Sequence, residues 1–81
     1  MYQIYQLGDD LYQIHSQYPY EKSMEGTLLV ILTYATYTLG FNINELELAL
    51  LDMNDLDMNA VSFDYNKEFV MSFDRNERRT G

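Results

Sequence analysis

Four segments of this chain alternate apolar and polar residues with a period of two, and they form two pairs that flank a middle region without that period. Such alternation is typical of strands that bury one face of a sheet. We therefore expect one β-hairpin on each side of the middle region. The predicted strands lie near residues 1–7, 11–16, 60–65 and 68–74.

The pattern also predicts which side chains of each hairpin face the core. Residues 8–10, Gly-Asp-Asp, supply the chemistry of a tight turn in the first hairpin. Its predicted apolar face consists of Tyr2, Ile4, Tyr12 and Ile14. The second hairpin turns at residues 66–67. Its predicted apolar face consists of Val61, Phe63, Tyr65, Phe69, Met71 and Phe73.

Between the hairpins we predict a first helix over residues 23–39. Ser23 can cap its start, and Gly40 can take the left-handed conformation that ends many helices. Its apolar stripe consists of Leu28, Leu32, Ala35 and Leu39. The run 28–32 is apolar all round, so we expect burial on more than one side. Because many of its residues are β-branched, a central strand over 27–39 is the alternative.

A second helix is predicted over residues 45–57. Asn44 is a suitable N-cap with Glu47 three positions later, and Ile43 before the cap can pack against Leu48. The inward stripe predicted from helical spacing consists of Leu46, Leu50 and Met53, and it closes at Leu56.

These elements give the order ββααββ within a single domain, residues 1–81. A four-stranded antiparallel sheet with two helices packed on one face is the simplest way to bury both hairpins, which makes the fold class α+β. We expect residues 75–81, which contain three arginines, to form a flexible basic tail.

The chain is strongly acidic, with thirteen carboxylates, five basic residues and a formal net charge of −8. Residues 1–74 contain only Lys22 and Lys67 against twelve carboxylates. Such a surface repels phosphate backbones and anionic lipid and attracts basic surfaces over about 8–10 Å. We therefore expect no direct binding to nucleic acid or to a membrane, and a partner with a basic surface.

The composition excludes several kinds of chemistry and indicates the cytoplasm. Without cysteine the chain has no disulfide, thiolate metal site or cysteine nucleophile. No signal peptide is visible, and the longest apolar run, Leu28–Leu32, is far shorter than the ~20 residues of a membrane span.

No catalytic or metal-binding motif is complete. His15 is the only histidine, and we expect it to be an ordinary residue of the sheet face. Residues 55–59 match the first half of a calcium loop, but Ala60 and Asn66 replace the required glycine and glutamate. The paired acids Asp9 with Asp10 and Asp52 with Asp55 lie in a predicted turn and on a predicted exposed helix, where adjacent acids are usually only solvated. We therefore predict no enzymatic activity, no metal and no cofactor.

The predicted contact residues are acidic and aromatic. Asp52, Asp55 and Asp57 form an acidic cluster at the C-terminal end of the second predicted helix. Carboxylates there oppose the helix dipole at about 0.3–1 kcal/mol each, a cost that a basic partner would explain. Tyrosine combines apolar area with a polar tip and is enriched at interfaces. The predicted partner-binding set is Glu45, Glu47, Asp52, Asp55, Asp57, Tyr5, Tyr18 and Tyr20.

In size, acidity and lack of catalytic motifs the chain resembles small phage-encoded inhibitors of host defence, such as anti-CRISPR proteins and DNA mimics. That resemblance implies an inhibitor that occupies a basic, nucleic-acid-binding groove of a larger protein, in the host cytoplasm if a phage encodes it. The alternative is a small structural or assembly protein that forms a homodimer through the apolar helix and the tyrosines, with the charge serving solubility.

Overall fold

A computed structural model of the protein describes residues 1–18 and 21–75, with side chains described up to residue 72. The elements are β1 (Tyr2–Gly8), β2 (Leu11–Ser16), β3 (Met24–Gly26), α1 (Leu28–Thr33), a π-helical turn (Tyr34–Thr38), α2 (Ile43–Asp55), β4 (Met58–Phe63) and β5 (Phe69–Arg75). The predicted basic tail lies outside the described residues, apart from Arg75.

The described strands form one antiparallel sheet in the order β3-β2-β1-β4-β5, so the α+β class is confirmed. The predicted four strands and the order ββααββ are wrong, because a short fifth strand precedes the helices. This strand pairs with β2 through Gly26 opposite Tyr12 and Met24 opposite Ile14. A side chain at Gly26 would lie 2.8 Å from Val30 Cγ1, so glycine permits the close approach of β3 and α1.

The first hairpin follows the predicted alternation. Ile4 pairs with Ile14, and a two-residue turn at Asp9 and Asp10 connects the strands. A bulge between Gln6 and Gly8 shifts the register just before that turn. The four residues predicted for the apolar face are all buried, namely Tyr2, Ile4, Tyr12 and Ile14.

Among the side chains that the structure describes, the second hairpin departs from the prediction at two apolar residues. The side chain of Phe73, also predicted for the apolar face, lies outside the described ones. Asp64 accepts hydrogen bonds from the backbone amides of Asn66 and Glu68, so the turn starts early and leaves Tyr65 exposed. Register shifts then place Met71 opposite Ser62, away from the core, and Met71 is exposed. The predicted core positions of Tyr65 and Met71 are therefore wrong.

The first helix is shorter than predicted. Thr27, not Ser23, is its N-cap, and its hydroxyl accepts a hydrogen bond from Val30 N at 3.4 Å. The helix widens into the π-helical turn at residues 34–38, and Gly40 has the predicted left-handed conformation, with φ of 80°. Burial on more than one side is wrong, because Leu29 is 72% exposed.

The second helix also begins elsewhere than predicted. Asn42, not Asn44, is the N-cap, and its side chain accepts from two backbone amides at 2.9 and 3.2 Å. The predicted pairing of Ile43 with Leu48 is wrong, since Ile43 is the first helical residue and both side chains are exposed. Leu56 ends the helix and is exposed, so it does not close the inward stripe.

Both helices pack on one face of the sheet, as predicted, and enclose the core between the two layers. The buried residues that the helical region contributes are Ile31, Ala35, Phe41, Leu46, Ala49, Leu50 and Met53. A row of rings connects the layers, with centroid distances of 5.3 Å from Tyr2 to Phe41, 4.9 Å from Phe41 to Phe63 and 5.9 Å from Phe63 to Phe69. Because each helix buries one side in this core, its opposite side faces solvent.

Candidate interaction surface

The side of α2 that points away from the sheet carries both acids and leucines. Leu46, Leu50 and Met53 recur at helical spacing and are buried, so the residues between them point outward. Leu48 is 66% exposed and Leu51 is 54% exposed, and the neighbouring carboxylates are also exposed. We call this surface the α2 outer face, and it consists of Glu45, Leu48, Leu51, Asp52 and Asp55.

The predicted acids do not form one cluster. Glu45 and Asp52 lie two turns apart on one side of α2 and border the same depression of about 330 Å³, next to Phe69 of β5. Glu47 lies on the opposite side of α2 and faces α1. The structure therefore distributes the predicted acids along both sides of the helix.

Asp57 lies apart from the α2 outer face. It follows the helix in a left-handed conformation, with φ of 56°, and turns the chain into β4. There it borders a depression of about 340 Å³ together with Asp9 of the first hairpin turn. Sequence spacing suggested one group of Asp52, Asp55 and Asp57, but this turn separates the last member from the other two.

The segment of the sequence that contains α2 carries charge of one sign only. Residues 23–66 contain seven carboxylates and no lysine or arginine. Glu45 lies in the first turn, where the helix dipole favours an anion, whereas Asp55 ends the helix, where the dipole opposes one. The α2 outer face thus combines exposed apolar area with negative charge.

Tyr5 lies on the solvent side of the sheet, opposite the helices. Its hydroxyl donates to Gln3 Oε1 at 2.9 Å, and its ring meets His15 edge-on at 5.8 Å. His15 Nε2 lies 2.8 Å from Gln13 Oε1, and Gln13 donates to Glu25 at 3.3 Å. His15 is exposed on the sheet face, as expected.

Tyr18 contacts the second hairpin. Its ring is 5.6 Å from that of Tyr65, so the two tyrosines connect the segment after β2 to the turn before β5. Tyr20 lies outside the described residues. Tyr5 and the predicted acids of α2 therefore lie on opposite sides of the sheet.

Tyr2 has a shifted pKa. Burial, and then the hydrogen bond that its hydroxyl donates to Glu21 Oε2 at 3.1 Å, raise the pKa of Tyr2 to about 12. The Lys67 ammonium lies 5.3 Å from the centre of the same ring. Tyr2 therefore remains a neutral phenol at physiological pH, and its contacts fix the corner between sheet and helices.

Among the side chains that the structure describes, those of residues 1–18 and 21–72, no group of three or more potential metal ligands comes together. In the incomplete calcium loop, Met58–Phe63 forms β4 instead of wrapping around an ion. None of the described helices has the length and apolar character needed to cross a bilayer.

Comparisons with known protein families, with curated proteins and with solved structures found no match. The surface that the fold presents is therefore the basis on which a function can be inferred.

Proposed function

We propose that this protein acts by binding another protein, and that its α2 outer face docks on a basic, nucleic-acid-binding surface of a larger protein. In this proposal the bound chain occupies that surface and blocks access of the nucleic acid to it. The function is that of an inhibitor of the kind that small acidic DNA mimics and anti-CRISPR proteins represent.

The observation that carries the proposal is the exposure of Leu48 and Leu51 among carboxylates. Charge alone would serve solubility, but exposed leucines on a regular helix add apolar area that gains free energy when a partner covers it. A partner that covers the leucines must also meet Glu45, Asp52 and Asp55, and lysine or arginine side chains do so most favourably.

The sign of the charge supports a partner that normally binds phosphates. A surface that attracts nucleic acid also attracts an acidic protein over about a Debye length, and it is repelled by basic ones. Residues 23–66, without a single lysine or arginine, present no charge that such a surface would repel.

A homodimer is the second candidate, and the region before α2 favours it. Residues 26–44 contain no charged side chain, yet Leu29 is 72% exposed and Tyr37 is 84% exposed. A two-fold contact through this region would bring no like charges together, whereas one through the α2 outer face would set its carboxylates against their copies. Sedimentation across protein concentrations tests this candidate by showing whether the chain remains a monomer.

The test of the proposed function is a comparison of two triple variants with the same change in charge. The first, Glu45→Gln, Asp52→Asn and Asp55→Asn, neutralises the α2 outer face. The control, Asp9→Asn, Glu25→Gln and Glu68→Gln, neutralises exposed acids elsewhere. We expect the parent chain to capture a nucleic-acid-binding protein, and added nucleic acid to displace that protein from the parent chain. The control variant should still capture it, and the first variant should not. Equal capture by both variants would contradict the proposal.

A further inference from the structure

A small apolar groove lies between the two helices. It has a volume of about 160 Å³, and we call it the interhelical groove. Leu28 and Leu32 of α1 form one wall, Leu50 and Leu51 of α2 form the other, and Glu47 and Asn54 complete the lining. Leu50 is buried and forms the floor, while Leu51 is half exposed and also belongs to the α2 outer face.

The groove matches one large apolar side chain in size. A cavity of about 150 Å³ lined by aliphatic side chains is known to admit benzene, so 160 Å³ is enough for a phenylalanine ring or a leucine. Four leucines supply the walls and floor, so an inserted apolar side chain would contact carbon on several sides. Such a pocket at the centre of a contact is where binding energy concentrates.

The charge at the groove specifies what flanks that side chain. Glu47 lies in the lining itself, and Asp10 Oδ1 accepts a hydrogen bond from Leu28 N at 3.1 Å, which places a second carboxylate at the start of α1. The lining contains no lysine or arginine. If an apolar side chain of a partner enters the groove, the partner residues beside it interact favourably with these carboxylates only when they are basic.

We propose that the interhelical groove receives a single large apolar side chain from a basic amphipathic helix of the partner, with lysine or arginine on the adjacent turns facing Glu47. A helix presents an apolar residue and flanking cations on one side through its three- and four-residue spacing. The proposal rests on the proposed function and specifies the partner's chemistry at that surface.

The test uses synthetic peptides of about 18 residues, long enough for an alanine-rich helix to form. The probe is a lysine- and alanine-rich helix with one central phenylalanine and a fluorescent label. One control peptide has alanine for phenylalanine, and another has glutamate for every lysine. We expect the probe to bind about 10- to 100-fold more tightly than the alanine control, the range that burial of one phenylalanine implies, and the glutamate peptide not to bind.

Two protein variants connect that binding to the groove. Leu51→Ser removes part of a wall, and we expect it to weaken binding of the probe while leaving the alanine control peptide unaffected. Leu29→Ser changes an exposed leucine of α1 outside the groove lining and should leave both peptides unaffected. Circular dichroism and a thermal melt of each variant establish that it is folded.

The outcomes separate this inference from the function on which it rests. If the probe and its alanine control bind equally and both depend on lysine, the groove proposal is overturned while a basic partner remains supported. If Leu29→Ser weakens the probe as much as Leu51→Ser does, the groove is likewise not the site. If no lysine peptide binds and the charge-neutralised triple variant still captures its partner, both proposals fail.

Discussion

The two helices of this protein lie side by side on one sheet, yet they differ in regularity, in capping and in charge. α2 has thirteen helical residues and an N-cap that accepts from two amides, and it buries a stripe of four side chains. α1 has six helical residues and a single cap contact at 3.4 Å, and it continues into a π-helical turn. Only Ile31 and Ala35 of that segment are fully buried.

The difference in packing and capping between the helices determines which residues each helix tolerates on its solvent-facing side. Because α2 is held by packing along its whole length, it can tolerate carboxylates that oppose its dipole. Three of the six residues of α1 are β-branched, namely Val30, Ile31 and Thr33, which lowers its helix propensity, and α1 carries no charge. Its outer side instead exposes Leu29 and Tyr37.

The largest expected effects come from the buried anchors of the two helices. Ile31→Ala in α1 and Leu50→Ala in α2 should each lower the free energy of unfolding by about 2–5 kcal/mol, because both side chains are fully buried. Their exposed neighbours give the comparison: Leu29→Ala and Leu51→Ala should stay within about 0.5 kcal/mol. Urea unfolding measures all four. A large loss for Leu29→Ala would mean that another surface covers α1 in solution.

The difference between buried and exposed leucines in α2 could be predicted from the sequence. Leu46, Leu50 and Met53 were predicted to face inward and are buried. The same spacing puts Leu48 and Leu51 on the opposite side, so the exposed leucines had a signal in the sequence. It was missed because Leu48 was assigned to a contact with Ile43 that the earlier cap at Asn42 precludes.

Other features could not be read from local patterns. Met24–Gly26 is too short to show a period, and both Ser23 and Thr27 are acceptable caps, so only packing decides where α1 begins. Met71 leaves the core because of register shifts that alternation does not encode. The interhelical groove arises from the packing of two helices and has no signature in either one alone.

The junction between the helices offers the next largest effect. Gly40→Ala places a side chain at a residue with φ of 80°, where nothing lies within 4 Å of the added carbon. The cost is therefore that of the left-handed backbone conformation, about 1–2 kcal/mol, with no clash against the rest of the described chain. Thermal unfolding measures it. A variant as stable as the parent would show that the connection relaxes to another conformation.

The caps test the comparison more finely. Asn42→Ala should cost about 1 kcal/mol, because the Asn42 side chain satisfies two amides of α2. Thr27→Ala should cost less, because its one contact to Val30 N is long. Equal losses in paired urea titrations would contradict the view that α2 is the better capped helix.

The smallest expected change in stability comes from the acids. Asp52→Asn with Asp55→Asn removes charge near the end of α2 where the dipole opposes it, so stability should stay equal or rise by about 0.3–1 kcal/mol. Binding to a basic partner should weaken at the same time. Thermal melts measure the change in stability, and a titration with the captured partner measures the change in affinity. A loss of stability would mean that these carboxylates make contacts that hold α2 in place.

The position of β1 at the centre of the sheet has a consequence for synthesis on the ribosome. β1 pairs on one side with β2, which follows it at once, and on the other side with β4, where Tyr2 lies opposite Phe63. A nascent chain can therefore close the first hairpin early, but its central strand keeps an open edge until the residues of β4 have emerged. Such long-range pairing slows folding, and an open strand edge is a site for wrong association between chains. The interval between emergence of β2 and of β4 is thus the period in which a growing chain is most exposed to aggregation.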